Sequence, residues 1–324
     1  MRFILLLLSL AFSLRAVDLE LQPGTMLVLP SAKDGAVLLA NEDADLKRMS
    51  RFDRAARIGK AEAPSITEFA AYVGAQAVDY TDAEIATVTA ALEMVRPALS
   101  ALKLSLPPTI TLAKTNGRED IDAPYCRGPL IVMPKSHIGR PELPDIIIHE
   151  VFHVFSSHHP ELREKMYGLL GFVRCAEPPL APSVDARRFT NPDAMGMDYA
   201  ISVKHEERDM MVMPTLLAKN ATFDMAKKGR VFEQIDFVLL EVTIADGKAA
   251  LVQKNGEPVT HLANSVPGFL RAMSRNTNYI WHPEEVLAEN FVRAVRPGRK
   301  LNSPELPKQL VEIMQTGTKI TAPR

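Results

Sequence analysis

The segment Asp145–Pro160 places four histidines and a glutamate next to an apolar run. Two of the histidines, His149 and His153, are four residues apart, so on a helix they lie on one face and can bind the same metal ion. Glu150 would stand beside that ion, where it can accept a proton from a water molecule that the metal activates. The HEVFH pattern therefore predicts one zinc ion held by two histidines, with Glu150 as general base.

The competing interpretation is a buried structural helix whose histidines are satisfied by hydrogen bonds alone. The apolar residues from Ile147 to Phe155 do predict a mostly buried helix that ends at Pro160. However, burying two imidazoles and a carboxylate is costly without a partner, and a zinc ion offsets that cost. The pattern therefore favours a metal site.

Catalysis by zinc requires a third protein ligand and one position left for water. His159 lies ten residues after His149, which is the spacing of the long metzincin motif HExxHxxGxxH. Ser156 takes the place of the glycine at which the chain turns in that motif. The pair His158 and His159 is also typical of a polar helix end, where histidine suits the negative terminus of the dipole. His159 therefore stays as an alternative third ligand.

A second candidate for the third ligand lies far downstream, on the predicted helix Pro283–Val295. Glu285 and Glu289 are four residues apart on this helix and share one face. The helix is otherwise largely apolar, and carboxylates in such surroundings need a cation or a donor. Either the two carboxylates face a metal ion and its histidines, or they are solvated charges on an exposed face. We expect the neighbouring Glu284 to be a solvated charge.

At these two helices the chain resembles the gluzincin metallopeptidases, whose HExxH helix is completed by a glutamate on a downstream helix. The stretch EVLAENF is similar to the E-x-x-A-E-x-F stretch of the anthrax lethal factor-like and minigluzincin peptidases. The resemblance implies that Glu285 is the third zinc ligand. It also implies that Glu289 accepts a hydrogen bond from a ligand histidine and so sets its tautomer. The resemblance covers only about residues 149–172 and 281–292.

Peptide hydrolysis also needs a group that stabilises the oxyanion besides zinc. In the toxin-like relatives a tyrosine shortly before the third ligand has this role, and Tyr279 precedes Glu285 by six residues. The resemblance therefore implies Tyr279 as a catalytic residue. The alternative is structural: Tyr279 packs against Trp281, and His282 caps the helix.

Two further segments bear on substrate binding. The run RGPLIVMP lies just upstream of the HExxH helix, where this superfamily places the edge strand that pairs with an extended peptide. The alternative for this run is a plain core strand. The turn-rich stretch TNPDAMGMDY is expected to form a loop, either as the wall of a pocket or as a simple connection.

The order of elements along the chain predicts an α+β fold. MLVLP and AVLLA are predicted strands, and the capping boxes SITE and TDAE predict helices at about 66–77 and 82–95. Alternating patterns predict an antiparallel β meander at 195–263, followed again by helices. We therefore expect N-terminal strands at 17–60 and a zincin-like domain at 61–324, with the meander inserted between the HExxH helix and the glutamate helix.

Residues 1–16 have the layout of a secretory signal peptide: Arg2 precedes an apolar run that is too short to span a membrane. The mature chain is therefore expected to be exported, to the periplasm or beyond, without a membrane span. Its 38 basic and 39 acidic residues give a net charge of −1, which favours neither nucleic acid nor an anionic membrane as partner. The spacing of Cys126 and Cys175 leaves open whether they form a disulfide bond.

Together these features predict an exported zinc metallopeptidase of gluzincin type that acts on a peptide or protein substrate. One Zn²⁺ would be held by His149, His153 and Glu285, with Glu150 as the catalytic base. Three alternatives stay open: a non-catalytic, zinc-stabilised module that binds a peptide or envelope partner, a metzincin-like peptidase, and hydrolysis of a non-peptide bond. The oligomeric state is left open.

Overall fold

The computed structural model describes residues 16–273, 275–298 and 300–320. These residues form twelve α-helices and several β-sheets, so the predicted α+β class is confirmed. The predicted signal peptide lies outside the described residues, except for its last residue, Ala16.

A mixed five-stranded sheet forms one layer of the fold. Its strands are Val17–Gln22 (β1), Thr25–Leu29 (β2), Thr109–Thr115 (β3), Tyr125–Arg127 (β4) and Leu130–Pro134 (β5). Their spatial order is β1-β2-β3-β5-β4; the two inner pairs are parallel and the two outer pairs are antiparallel. The short strand β4 is therefore one edge of this sheet.

Helices pack on this sheet, and the first five form the crossover between the parallel strands β2 and β3, whereas the connection from β3 to β5 contains β4. The first six are Ala32–Leu39 (α1), Ala44–Arg48 (α2), Arg51–Ile58 (α3), Ile66–Gly74 (α4), Asp82–Leu102 (α5) and Lys135–Ile138 (α6). The others are Leu143–His158 (α7), Pro160–Gly168 (α8), Pro182–Asp185 (α9), Pro267–Met273 (α10), Pro283–Val295 (α11) and Glu305–Ile320 (α12). Both capping boxes are present, at the starts of α4 and α5, so these two start signals are confirmed.

The N-terminal region is less strand-rich than the sequence suggests. AVLLA is not a strand: its first four residues form the second half of α1, and residues 17–60 contain two strands and three helices. The helix starts at Ser31, whose hydroxyl accepts a hydrogen bond from the backbone N–H of Asp34. A run of five apolar residues does not distinguish a strand from a helix, and here the N-cap serine starts a helix.

The main hydrophobic core lies between the five-stranded sheet and a layer of helices. Helices α5 and α7 both pack on this sheet and on each other, and α11 and α12 follow in turn on the far side of α7. Helix α5 is long and apolar enough to cross a membrane by length and composition. Its stripe of Val88, Leu92, Val95 and Leu99 is fully buried in the core, which is the pattern of a core helix.

A second sheet is antiparallel throughout. Its strands are Phe172–Arg174 (β6), Arg188–Phe189 (β7), Tyr199–His205 (β8), Arg208–Ala218 (β9), Ile235–Ala245 (β10), Lys248–Leu251 (β11) and Thr260–Leu262 (β14), and a small hairpin pairs Gln253–Lys254 (β12) with Glu257–Pro258 (β13). Strands β8 to β11 form a meander within the predicted range 195–263. The sheet also includes β6 and β7, which lie before that range.

An ion-pair cluster ties three strands of the second sheet together. Arg208 on β9 donates two hydrogen bonds of 2.8 Å to the carboxylate of Glu241 on β10, and His261 on β14 lies 3.0 Å from the same carboxylate. The hydrogen bonds from Arg208, aided by His261 and opposed by partial burial, lower the pKa of Glu241 from 4.5 to about 2. The ionised carboxylate is therefore favoured in the folded state.

We expect Glu241→Gln to lower the free energy of unfolding at pH 7 by about 1 kcal/mol, because Arg208 is half exposed and solvent screens the pair. Since the pKa of Glu241 is depressed on folding, its contribution is complete above pH 4.5 and is lost as the pH falls from 4.5 toward 2. Urea unfolding at pH 7, 4 and 3 measures this difference. Glu207→Gln, in the exposed β8–β9 turn, is the control; a wild-type advantage over Glu241→Gln that is the same at pH 7 and pH 3 would contradict the assignment.

Candidate metal centre

The packing of α11 against α7 builds the site. Helix α11 has the predicted bounds, and every apolar residue of its buried stripe faces the core. His149 and His153 project from α7 toward α11, and Glu285 projects from α11 toward the histidines. The structure thus brings the predicted ligand Glu285 to His149 and His153, although 136 residues separate His149 from Glu285 in the chain.

The three ligand atoms have a spacing that suits one zinc ion. His149 Nε2 lies 3.2 Å from Glu285 Oε2, and His153 Nε2 lies 3.8 Å from the same oxygen. Four-coordinate zinc, with bonds of about 2.0–2.1 Å, keeps its ligand atoms about 3.3 Å apart. In the part of the chain that the structure describes, these three residues form one of two groups whose ligand atoms all lie within 4.8 Å of one another.

The hydrogen bonds of His153 also suit a metal. Its Nδ1 lies 3.2 Å from Glu284 Oε1, whereas its Nε2 is buried and has no hydrogen-bond partner. A buried ring nitrogen without a partner is unfavourable, and a metal ion would satisfy it. The contact to Glu284 places the proton of the neutral imidazole on Nδ1 and leaves the Nε2 lone pair free to bind.

Glu284 is not the solvated charge that the sequence suggests, because its side chain is completely buried. Besides His153, its carboxylate accepts hydrogen bonds from Ser156 Oγ at 2.9 Å and from Tyr167 Oη, and Arg163 lies 3.9 Å away. Burial raises the pKa of Glu284, but Arg163 and the hydrogen bonds lower it overall. Glu284 therefore orients one predicted ligand, a role that the resemblance assigns to Glu289.

Glu289 lies at the rim of the same site. Its Oε1 is 3.6 Å from His149 Nδ1, and its side chain is 27% exposed. Arg293, one turn later on α11, is 3.5 Å from the other carboxylate oxygen. Each histidine thus has a carboxylate beside its Nδ1: the buried Glu284 for His153 and the half-buried Glu289 for His149.

The segment before α11 contributes two aromatic groups. The ring of Tyr279 lies 6.1 Å from the ring of His149 and 4.8 Å from the ring of Trp281. His282 is the N-cap of α11, and its Nδ1 accepts a hydrogen bond from the backbone N–H of Glu284. Burial lowers the pKa of His282 to about 4, which keeps its ring neutral and able to accept. Tyr279 is therefore close to the predicted ligands, whereas His282 has a structural role.

His159 points away from the other two histidines. Its Nε2 lies 2.7 Å from the carbonyl oxygen of Ser105, and its Nδ1 lies 3.1 Å from Glu161 Oε1. Helix α7 ends at His158 and α8 begins at Pro160, so the chain does not turn His159 back toward the site. This geometry leaves Glu285 as the third ligand candidate.

Glu150 belongs to an adjoining group with Cys126 and Asp193, whose ligand atoms also lie within 4.8 Å of one another. Its Oε2 accepts a hydrogen bond from the Cys126 thiol at 3.1 Å. Asp193 accepts a hydrogen bond of 2.6 Å from the backbone N–H of Cys126, and Asn191 donates one of 2.6 Å to Glu285 Oε1. Sequence reasoning missed these three neighbours, although Asn191 and Asp193 lie in the turn-rich stretch that it assigned to a loop.

The charges around the histidines favour a cation. Burial acts to lower the pKa of His153, but the negative charges of Asp193 and Glu285 raise it overall to about 9. Burial acts to raise the pKa of Glu285, but the positive charge of His153 and the hydrogen bond from His149 lower it overall. A metal ion and protons compete for the same ring nitrogens, so a carboxylate-rich site that attracts one also attracts the other.

The strand upstream of the HExxH helix is not at the edge of the sheet. RGPLIVMP contains β5, which lies between β3 and β4. The chain doubles back at Gly128, whose φ of +56° is in the left-handed region, and the three-residue strand β4 becomes the edge. An extended peptide could therefore pair with β4 but not with β5.

The two cysteines are free thiols. Cys126 lies on β4 in the main core, whereas Cys175 lies in the separate core of the second sheet. The sequence left a disulfide bond open, and the structure places the two side chains in different hydrophobic clusters.

Comparison of the chain with protein-family models, with curated proteins and with solved structures finds no match. A functional assignment therefore depends on the geometry of this site.

We expect Glu284→Ala to lower the free energy of unfolding of the metal-free protein by about 3 kcal/mol, because it leaves buried donors on His153, Ser156 and Tyr167 without their acceptor. Urea unfolding measures the loss. Glu161→Ala is the control, since its exposed carboxylate also contacts a histidine and its loss should cost under about 1 kcal/mol. Equal losses for the two variants would show that the Glu284 network does not stabilise the fold.

Proposed function

We propose that the protein is a zinc-dependent metallopeptidase of gluzincin type. The observation that carries this proposal is the convergence of His149 Nε2, His153 Nε2 and Glu285 Oε2 from two packed helices, with Glu150 adjacent on the same helix as the histidines. The zincin-like character of the domain and the role of the second sheet as an insertion are part of the same proposal.

In the proposed reaction, His149, His153 and Glu285 hold one zinc ion. A bound zinc ion supplies Lewis acidity, which brings the pKa of a water molecule to about 7 and polarises the scissile carbonyl. Glu150 accepts the proton of the attacking water and then delivers it to the nitrogen of the leaving amine.

Other residues of the chain would orient these groups. The thiol of Cys126 donates to Glu150 Oε2 and so restricts its rotamers, and the carboxylates of Glu284 and Glu289 hold the rings of His153 and His149. The phenol of Tyr279 lies on the more exposed side of the site, near His149, where it can donate to a developing oxyanion.

We expect the wild-type protein to bind one Zn²⁺ per chain and His153→Ala and Glu285→Ala to lose tight binding, because each removes one of three ligands. Zinc titration of the metal-free proteins by calorimetry, with metal content checked by elemental analysis, measures this. His159→Ala is the matched control and should bind zinc like the wild type, since its ring nitrogens contact Ser105 and Glu161. Loss of binding in His159→Ala with retention in Glu285→Ala would replace the gluzincin proposal by the metzincin one.

We expect Glu150→Gln to retain zinc but to reduce peptide hydrolysis by about 100-fold or more, because an amide cannot act as general base. Cleavage of a complex peptide mixture, followed by mass spectrometry, measures the rate whatever the sequence specificity of the enzyme. Glu164→Gln, on the exposed face of α8, is the control. Equal hydrolysis by Glu150→Gln and wild type would rule out the proposed mechanism, and zinc binding without hydrolysis by either protein would favour the non-catalytic binding module.

A further inference from the structure

The segment Thr190–Asp198, which connects β7 to β8, lies over the proposed metal centre; we call it the covering loop. It makes one hydrogen bond to the centre, from Asn191 to Glu285, and one beside it, in which Asp193 accepts from the backbone N–H of Cys126 on β4. We propose that the covering loop is an autoinhibitory latch, with Asp193 as the residue that closes it. This inference rests on the proposed peptidase function and concerns the regulation of the same site.

Asp193 occupies the edge of the sheet at which a peptide would pair. Strand β4 pairs with β5 on one side only, and the backbone N–H of Cys126 points outward from that pair. Asp193 Oδ1 accepts a hydrogen bond of 2.6 Å from this N–H. An extended peptide that adds to a sheet edge binds through such main-chain groups. The peptide must therefore displace Asp193.

The same carboxylate lies beside the proposed general base. The carboxylate oxygens of Asp193 and Glu150 and the sulfur of Cys126 lie within 4.8 Å of one another. The attacking water and the scissile bond need the space beside Glu150, because a general base acts within hydrogen-bond distance of the proton that it takes. Asp193 and a substrate therefore compete for one position.

The burial of the site supports a closed state. Glu150 is 3% exposed, and His153 and Glu285 are each 1% exposed. A peptide bond in a polypeptide substrate cannot reach side chains that are this deeply buried. The covering loop contacts the buried Glu285 through Asn191, and Pro192 to Gly196 line a cavity together with His153 and Cys126.

The tip of the covering loop has space in which to move. Its ends are anchored: Thr190 hydrogen-bonds to the buried Asp53, and Met195 packs in a hydrophobic cluster with Phe69. The four residues between these anchors face a cleft of about 120 Å³, which lies between the loop, β9 and Trp281. Residues 191–194 can therefore withdraw from β4 without disrupting the core.

The test compares Asp193→Ala with wild type and with Asp198→Ala. Asp198 is the matched control because it lies at the end of the same loop but faces Arg174 at the surface. Two quantities are measured: hydrogen exchange of the β4 amides in the metal-free and zinc-loaded proteins, and the rate of peptide hydrolysis by the zinc-loaded protein. The conservative variant Asp193→Asn keeps an oxygen for the Cys126 amide and is included in case Asp193→Ala does not fold.

We expect Asp193→Ala to accelerate both exchange of the Cys126 amide and hydrolysis by about tenfold, the effect of leaving a buried backbone N–H without its acceptor. Asp193→Asn should lie between wild type and Asp193→Ala, and Asp198→Ala should match wild type. The proposed latch is contradicted if the β4 amides exchange as slowly in Asp193→Ala as in Asp198→Ala. It is also wrong if Asp193→Ala binds zinc but hydrolyses more slowly than wild type, since Asp193 would then assist the reaction.

The test separates this inference from the proposed function. Faster exchange at β4 in Asp193→Ala, without hydrolysis by that variant or by wild type, would support the proposal that Asp193 covers the sheet edge. It would contradict the peptidase proposal. Hydrolysis by wild type that Asp193→Ala does not increase would retain the peptidase and overturn the latch.

Discussion

The contact between α7 and α11 is the constraint on which the rest of the site depends. It buries two imidazoles from one helix against carboxylates from the other, in surroundings where an unpaired charge is costly. The cost is offset only if every donor and acceptor finds a partner, and almost all of them do, through Ser156, Tyr167 and Asn191. One exception is His153 Nε2, which is the atom that a metal ion would bind.

The two halves of the molecule contribute differently to this centre. The predicted ligands and the proposed general base lie on buried helices of the main core, where packing determines the orientation of each side chain. The covering loop comes instead from the antiparallel sheet, and its middle contacts the candidate site through the hydrogen bonds of Asn191 and Asp193. The candidate ligands and the segment that lies over them therefore come from different parts of the fold, as is common where loops on a packed scaffold line a site.

Some features of the site could be predicted because they depend on local spacing. His149 and His153 share a helix face whatever surrounds them, and the same holds for Glu285 and Glu289. The role of Glu284 could not be predicted, because adjacent residues on a helix point in directions about 100° apart. Whether such a direction leads to solvent or to Tyr167 depends on a second helix that packs there.

The predictions of secondary structure and strand order divide in the same way: local features were predicted, and long-range pairing was not. Capping boxes and the apolar helix of the HEVFH segment predicted their elements correctly, since a cap and a 3.6-residue period act within a few residues of chain. The strand predicted at AVLLA was wrong, because a short apolar run is compatible with either a strand or a helix. The edge position of β4 was also missed, since strand order results from pairing between segments rather than from the composition of either one.

The sequence by itself determined the composition of the candidate site: two histidines and a glutamate on one helix, and carboxylates on another. Only the tertiary structure decided that Glu285 contacts His149 and that Glu284 contacts His153. These contacts join positions more than a hundred residues apart in the chain. It also decided that Asp193 lies against β4 and Glu150. A loop residue has no periodicity that indicates its partner, so its position emerges only when both sheets have formed.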